Sequence, residues 1–143
     1  MSFNDQEKCK CFGNQAGLCA EAVVSKSGYP TVNLEVAPRQ GNNMLWDQKV
    51  ILQMSAQELP ILAATLLGYR QSCEFKRQTK GIQIERQASS LFIKASEGRI
   101  LALPVVPGDV FRLSSIVLNQ LMKSSPCNER LMLTALKGIS VFN

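Results

Sequence analysis

The sequence predicts an α+β fold: two strand-strand-strand-strand-helix units with antiparallel sheets packed against helices, plus a short C-terminal helix. Three observations carry this. The chain twice passes from a strand-like run into a helix with its own start signal. Four strand candidates separated by very short breaks stand between those helices. The two helix starts, Ser55 and Asp109, lie 54 residues apart, about the length of chain before the first. With 143 residues a single domain is the default. Repeat unit one is placed at about 8–68, unit two at about 72–124 and the terminal helix at about 127–138.

In the first unit the strand candidates are CKCFG (9–13), AEAVVSK (20–26), TVNLEVAP (31–38) and KVILQM (49–54), with turns at Gly28 to Pro30 and Gly41 to Asn43. In the last of these, Val50, Leu52 and Met54 share one face, and Lys49, Ile51 and Gln53 the other. Ser55 then opens a helix, because SAQE is a capping box in which the hydroxyl and the Glu58 carboxylate satisfy orphan amides. Leu59, Leu62, Ala63, Leu66 and Leu67 follow at helical spacing, and Gly68 ends the helix in a left-handed conformation. Pro60 sits deep enough in the first turn to distort it.

The second unit offers SCEFKRQ (72–78), KGIQIERQ (80–87), SLFIKAS (90–96) and RILALPVV (99–106). Their breaks at Thr79, Ala88-Ser89 and Glu97-Gly98 are short enough for hairpins, so the strands form an antiparallel meander. Asp109 is read as the N-cap of a helix whose stripe is Val110, Leu113, Val117 and Leu121, widened by Ile116 and Met122. Asn128 caps the last helix. Leu62, Leu66, Val117 and Leu121 exceed what one thin sheet face needs, so part of this surface is expected to meet another subunit.

This order of elements, most clearly in KGIQIERQASSLFIKASEGRILALPVVPGDVFRLSSIVLNQLMKS, resembles the Whirly and transcriptional-coactivator superfamily of single-stranded-DNA-binding proteins, over roughly residues 19–124. The resemblance implies four-strand-and-helix units, assembly into dimers or larger rings, and nucleic acid bound on the sheets. The lysine-rich strand signature of the plant Whirly proteins is absent, so no family binding residue transfers by position. A similarity to small proteins of mobile elements and phages implies a role in replication, recombination or transcription.

Candidate ligand contacts come from the residues themselves. The net charge is +5, and Arg70, Lys76, Arg77, Lys80, Arg86, Lys94 and Arg99 crowd one stretch against only Glu74, Glu85 and Glu97. Such a cluster is either a solvated face or a polyanion surface. In SLFIKAS, alternation sets Phe92, Lys94 and Ser96 opposite Leu91, Ile93 and Ala95. An aromatic beside a cation on an open sheet face suits a single strand: a base stacks on the ring and the ammonium meets a phosphate. The candidate nucleic-acid-binding set is Lys76, Arg77, Lys80, Arg86, Phe92, Lys94, Arg99 and Trp46. Phe75 reads as core by its apolar neighbours, and Trp46 serves either as a stacking residue or as a cap over the core edge.

Other chemistries find little footing. There is no histidine, no Walker loop and no GxGxxG or GxSxG motif, so an enzyme is not expected, nor is a cofactor. Cys9, Cys11 and Cys19 supply three thiols where structural zinc wants four ligands, and the five cysteines include no CxxC pair. They are read as buried filler, with no metal site. No run approaches a membrane span, and the charged start of the chain, with Asp5, Glu7, Lys8 and Lys10, lacks the apolar run of a secretory signal. A cytoplasmic, non-enzymatic homo-oligomer that binds single-stranded DNA or RNA, mainly DNA, is the expected function. The rivals are an assembly scaffold using the same sheet as a subunit interface, and a metal-dependent regulator built on the N-terminal thiols.

Overall fold

The computed structural model describes residues 7–142; Asp5 lies outside them. Four strands build the first sheet in the order β1 (Lys8–Phe12), β2 (Ala16–Val24), β3 (Pro30–Gln40) and β5 (Val50–Gln53), all antiparallel. A two-residue strand, β4 (Asn43–Met44), pairs with the end of β3. After helix α1 (Glu58–Leu66) come β6 (Ser72–Lys76), β7 (Gly81–Arg86), β8 (Leu91–Ser96) and β9 (Ile100–Val105), a meander in chain order. Helices α2 (Pro107–Ser124) and α3 (Glu129–Ile139) follow. The predicted α+β class is the observed one.

The helices exchange sheets. Helix α2 leaves the second sheet yet packs on β1, β2 and β3 of the first, while α1 leaves the first sheet and packs on β6 and β7 of the second. The two helices also pack on each other, and α3 lies on α1. One apolar core therefore runs through both units, joining Leu18, Leu34 and Leu52 to Ile82, Ile84, Ile93 and Leu103. Each such side chain, fully buried, contributes about 1.5–3 kcal/mol. Gln120 of α2 is buried and donates to the carbonyls of Val23 (3.1 Å) and Thr31 (2.8 Å), which fixes the helix over β2 and β3.

This exchange corrects one expectation. Leu62, Leu66, Val117 and Leu121 are all buried within the single chain, because each helix is covered on two sides by a sheet and by the other helix. The large apolar side chains left exposed are others, among them Phe111, at 72% exposure, and Leu131.

Local signals explain the boundaries. The Ser55 capping box forms in both directions: Glu58 N–H donates to the Ser55 hydroxyl (3.1 Å) and Ser55 N–H to the Glu58 carboxylate (3.0 Å). Gly68 ends that helix at φ +85°, a conformation only glycine adopts without strain. Asn128 caps α3 by accepting from Leu131 N–H at 2.9 Å. Asp109 is not an N-cap. Pro107 occupies the first helical position, where its fixed φ starts the helix after Val106, and Asp109 instead pairs with Arg112 at 2.9 Å. Strand β2 begins at Ala16, four residues before the predicted start. Its first residues are buried on both faces and so do not alternate: Met44 lies over Gly17, where a Cβ would come within 2.6 Å of the methionine methyl.

The amino-terminal thiols divide between faces. Cys9 and Cys11 point into the core beside Leu18 and Ala20, whereas Cys19 stands opposite Lys10 on the outer side of the sheet. Among the described residues, no three metal-ligating side chains converge. The hydrogen bond shared with the Cys11 thiol brings Cys9 down to about 7 and pushes Cys11 well up.

Candidate nucleic-acid interface

Strand register converts the second sheet's outer face into three rows. Ser72, Glu85, Phe92 and Pro104 form the first; Glu74, Gln83, Lys94 and Ala102 the second; Lys76, Gly81, Ser96 and Ile100 the third. The alternate residues Cys73, Phe75, Ile82, Ile84, Leu91, Ile93, Leu101 and Leu103 are buried in the core, β6 and β7 packing on α1 and β9 on the first sheet, so the opposite face is the open one. Phe92 is half-buried and Lys94 exposed, on one face as alternation predicts, and Phe75 is core. The face is close to neutral: Glu74 sits 3.8 Å from Lys76, and Glu85 is directly opposite Phe92.

The eight candidate residues divide by what they hold. Lys80, half-buried in the β6–β7 turn, and Lys94, which is exposed, have no acidic partner within 4.0 Å among the described residues. Lys76 is exposed beside its glutamate. Arg77 is committed to the protein: it donates to both carboxylate oxygens of Glu58 (2.9 and 2.8 Å) and to the Gln53 carbonyl (2.7 Å). Burial raises the Glu58 carboxyl, but the hydrogen bonds from Arg77 and Ser55 outweigh it and hold the group below 4.5. Arg86 closes the end of α1 by donating to the Thr65 and Leu66 carbonyls, both at 3.2 Å. Arg99, in the β8–β9 turn, donates to the Gln48 carbonyl and ties the second sheet to the short 3-10 turn Trp46–Gln48.

Trp46 leads to a group the sequence reading passed over. The Lys10 ammonium lies 5.4 Å from the centre of its ring, a cation–π distance. Register places Lys8 and Lys10 on the outer side of the first sheet with Phe12, which is 54% exposed. Lys8 is 3.7 Å from Glu21, and Lys49 pairs with Glu35 at 3.1 Å on the same side. The aromatic interleaved with lysines in KCKCF (8–12) was the available signal. Both sheets thus carry an outward aromatic-and-lysine group, and the Arg99–Gln48 contact joins the two.

Two solved structures share this architecture. The MRP1/MRP2 structure of Trypanosoma bruciei superposes with a TM-score of 0.62 at 12% identity, covering 81% of this chain and 84% of that one. A guide-RNA-binding protein complex bound to a guide RNA gives a TM-score of 0.61 at 12% identity, covering 80% and 89%. The fold is Whirly-like. At this identity the likeness concerns the fold alone. No family model matches the chain, and no curated protein matches its sequence. Among the described residues, no helix is long and apolar enough to cross a membrane.

Proposed function

We propose that this protein is a non-enzymatic, single-stranded nucleic-acid-binding module that works as a homo-oligomer. The observation that carries the reading is the open face of the second sheet. There Phe92 and Lys94 stand two residues apart on one strand, with Lys80 in a turn at the same end as Lys76, Ser96 and Ile100. A base stacks on a ring while phosphates run along the ammonium groups, and neither contact depends on sequence. The structural neighbour bound to guide RNA supports testing RNA alongside DNA; single-stranded DNA is the polymer the sequence resemblance favours. A place in the replication, recombination or transcription of a mobile element or phage belongs to the same reading.

Assembly rests on a different surface. A groove of about 460 Å³ lies between the end of α1, the β7–β8 turn and α2, with Phe111, Val110 and Leu118 on its α2 side. Burying these apolar side chains against a second copy would remove them from water, and the neighbour bound to guide RNA is described as a protein complex. The rival scaffold reading draws on the near-neutral second sheet, where Glu74 and Glu85 offset Lys76 and Lys94. An electrophoretic shift with single-stranded RNA, single-stranded DNA and duplex separates the two. Retardation of single strands supports binding, and no retardation of any form at low salt favours the scaffold.

A further inference from the structure

Away from the sheet faces, Cys9 and Cys11 form a pair of nucleophiles with a geometry of their own. Alternation on β1 turns both into the core, where each is 2% exposed, and their sulfurs lie 4.0 Å apart. Helix α2 packs over β1, and the Arg112 and Asp109 charges of its first turns act on both thiols.

Three chemistries could use two thiols, and the spacing decides among them. A disulfide needs its sulfurs at about 2.05 Å and its Cα atoms within about 4.4–6.8 Å. Residues two apart on an extended strand stand about 6.6 Å apart, at the far limit of that window. The β1 ladder, with Cys9 opposite Ala20 and Cys11 opposite Leu18, resists compression. Zinc wants four ligands, and no group of three forms among the described residues. A soft cation that accepts two thiolates in a near-linear arrangement fits better. Two metal–sulfur bonds of about 2.3 Å span about 4.6 Å end to end, which small side-chain rotations reach from 4.0 Å.

We propose that Cys9 and Cys11 form a two-thiolate site for a soft monovalent cation, copper(I) being the biological member of that class. Thiolates select this ion over hard cations. On binding, two S–H bonds break and two copper–sulfur bonds form; both protons leave to water and the copper stays monovalent. The resulting centre carries one negative charge, the Asp109–Arg112 ion pair lies at the start of the helix that packs over it, and the apolar surroundings exclude further ligands. Entry is through β1, an edge strand of its sheet, whose local opening costs less than global unfolding.

The test is an anaerobic competition for copper(I) between the reduced full-length chain and a coloured copper(I) chelator. The parent is expected to withdraw one equivalent. Cys9→Ala and Cys11→Ala should each lose it, while Cys19→Ala, on the opposite face of the sheet, keeps it. Copper-edge X-ray absorption on the loaded parent should show two sulfur neighbours and no others, a readout that does not depend on how well the variants fold. The proposal is overturned if the parent withdraws no copper, if Cys9→Ala and Cys11→Ala retain the full equivalent, or if absorption shows nitrogen, oxygen or three or more sulfur neighbours.

Discussion

Replacing Arg77 by alanine separates a structural cation from a ligand-binding one. The guanidinium makes two charge-assisted bonds to Glu58 and one to the Gln53 carbonyl, at 2.7–2.9 Å. Its side chain is 33% exposed and that of Glu58 21%, so water screens the pair only partly. An exposed ion pair contributes about 0–1 kcal/mol, whereas hydrogen bonds to charged groups contribute about 1.5–3. The partial burial and two-pronged geometry place Arg77→Ala at about 1.5–2.5 kcal/mol. An unfolding entropy of about 2.1 cal/mol/K per residue makes each kcal/mol about 3 °C for a chain of this length, so the melting temperature should fall by about 5–8 °C. Lys94→Ala, on an open face with no acidic partner, should stay within about 0.5 kcal/mol of the parent. Calorimetry on both variants checks the stability, and anisotropy across salt checks the binding. Arg77→Ala should leave the salt slope of nucleic-acid binding as in the parent. A melting temperature within 2 °C or so of the parent, together with a shallower slope, would refute the assignment and return Arg77 to the ligand.

Lys94→Ala should make the log–log salt slope for single strands shallower by about 0.7, one phosphate contact, with anisotropy as the assay. The depressed Glu58 carboxyl contributes stability that is present above its ordinary value of 4.5 and lost as the pH falls through its lower folded value; calorimetry should therefore show a steeper acid loss for the parent than for Glu58→Gln. Phe111→Glu should shift sedimentation from oligomer toward monomer without lowering the melting temperature of the chain itself, because Phe111 is 72% exposed; an unchanged oligomer would move the assembly surface elsewhere.

The elements that signal by period or cap were legible in the sequence. The second sheet's four strands lie within two residues of their predicted bounds, because each alternates cleanly between core and solvent. The Ser55–Glu58 box and the Asn128 cap are local and form as their residue types dictate. What escaped was tertiary. Nothing local says that α2 crosses back to the first sheet, and that crossing buries Leu62 and Val117. Met44 covering Gly17 hides the start of β2. Of the cations in the candidate site, alternation correctly turned Lys94 outward, but it could not show that Glu58 claims Arg77 or that the α1 carbonyls claim Arg86. Charge counts along a chain do not reveal which charges are already paired.

Single-strand binding by Phe92 is the central claim, and a salt titration of anisotropy tests it most directly, using labelled single-stranded RNA and DNA and a duplex with the parent and Phe92→Ala. About three phosphate contacts, from Lys76, Lys80 and Lys94, give an expected slope near −2 on single strands. Phe92→Ala should weaken single-strand binding by about 1–3 kcal/mol per stacked base, leave the slope in place and leave duplex binding unchanged. Equal affinity for duplex and single strands, or a Phe92→Ala variant that binds single strands as the parent does, would contradict it.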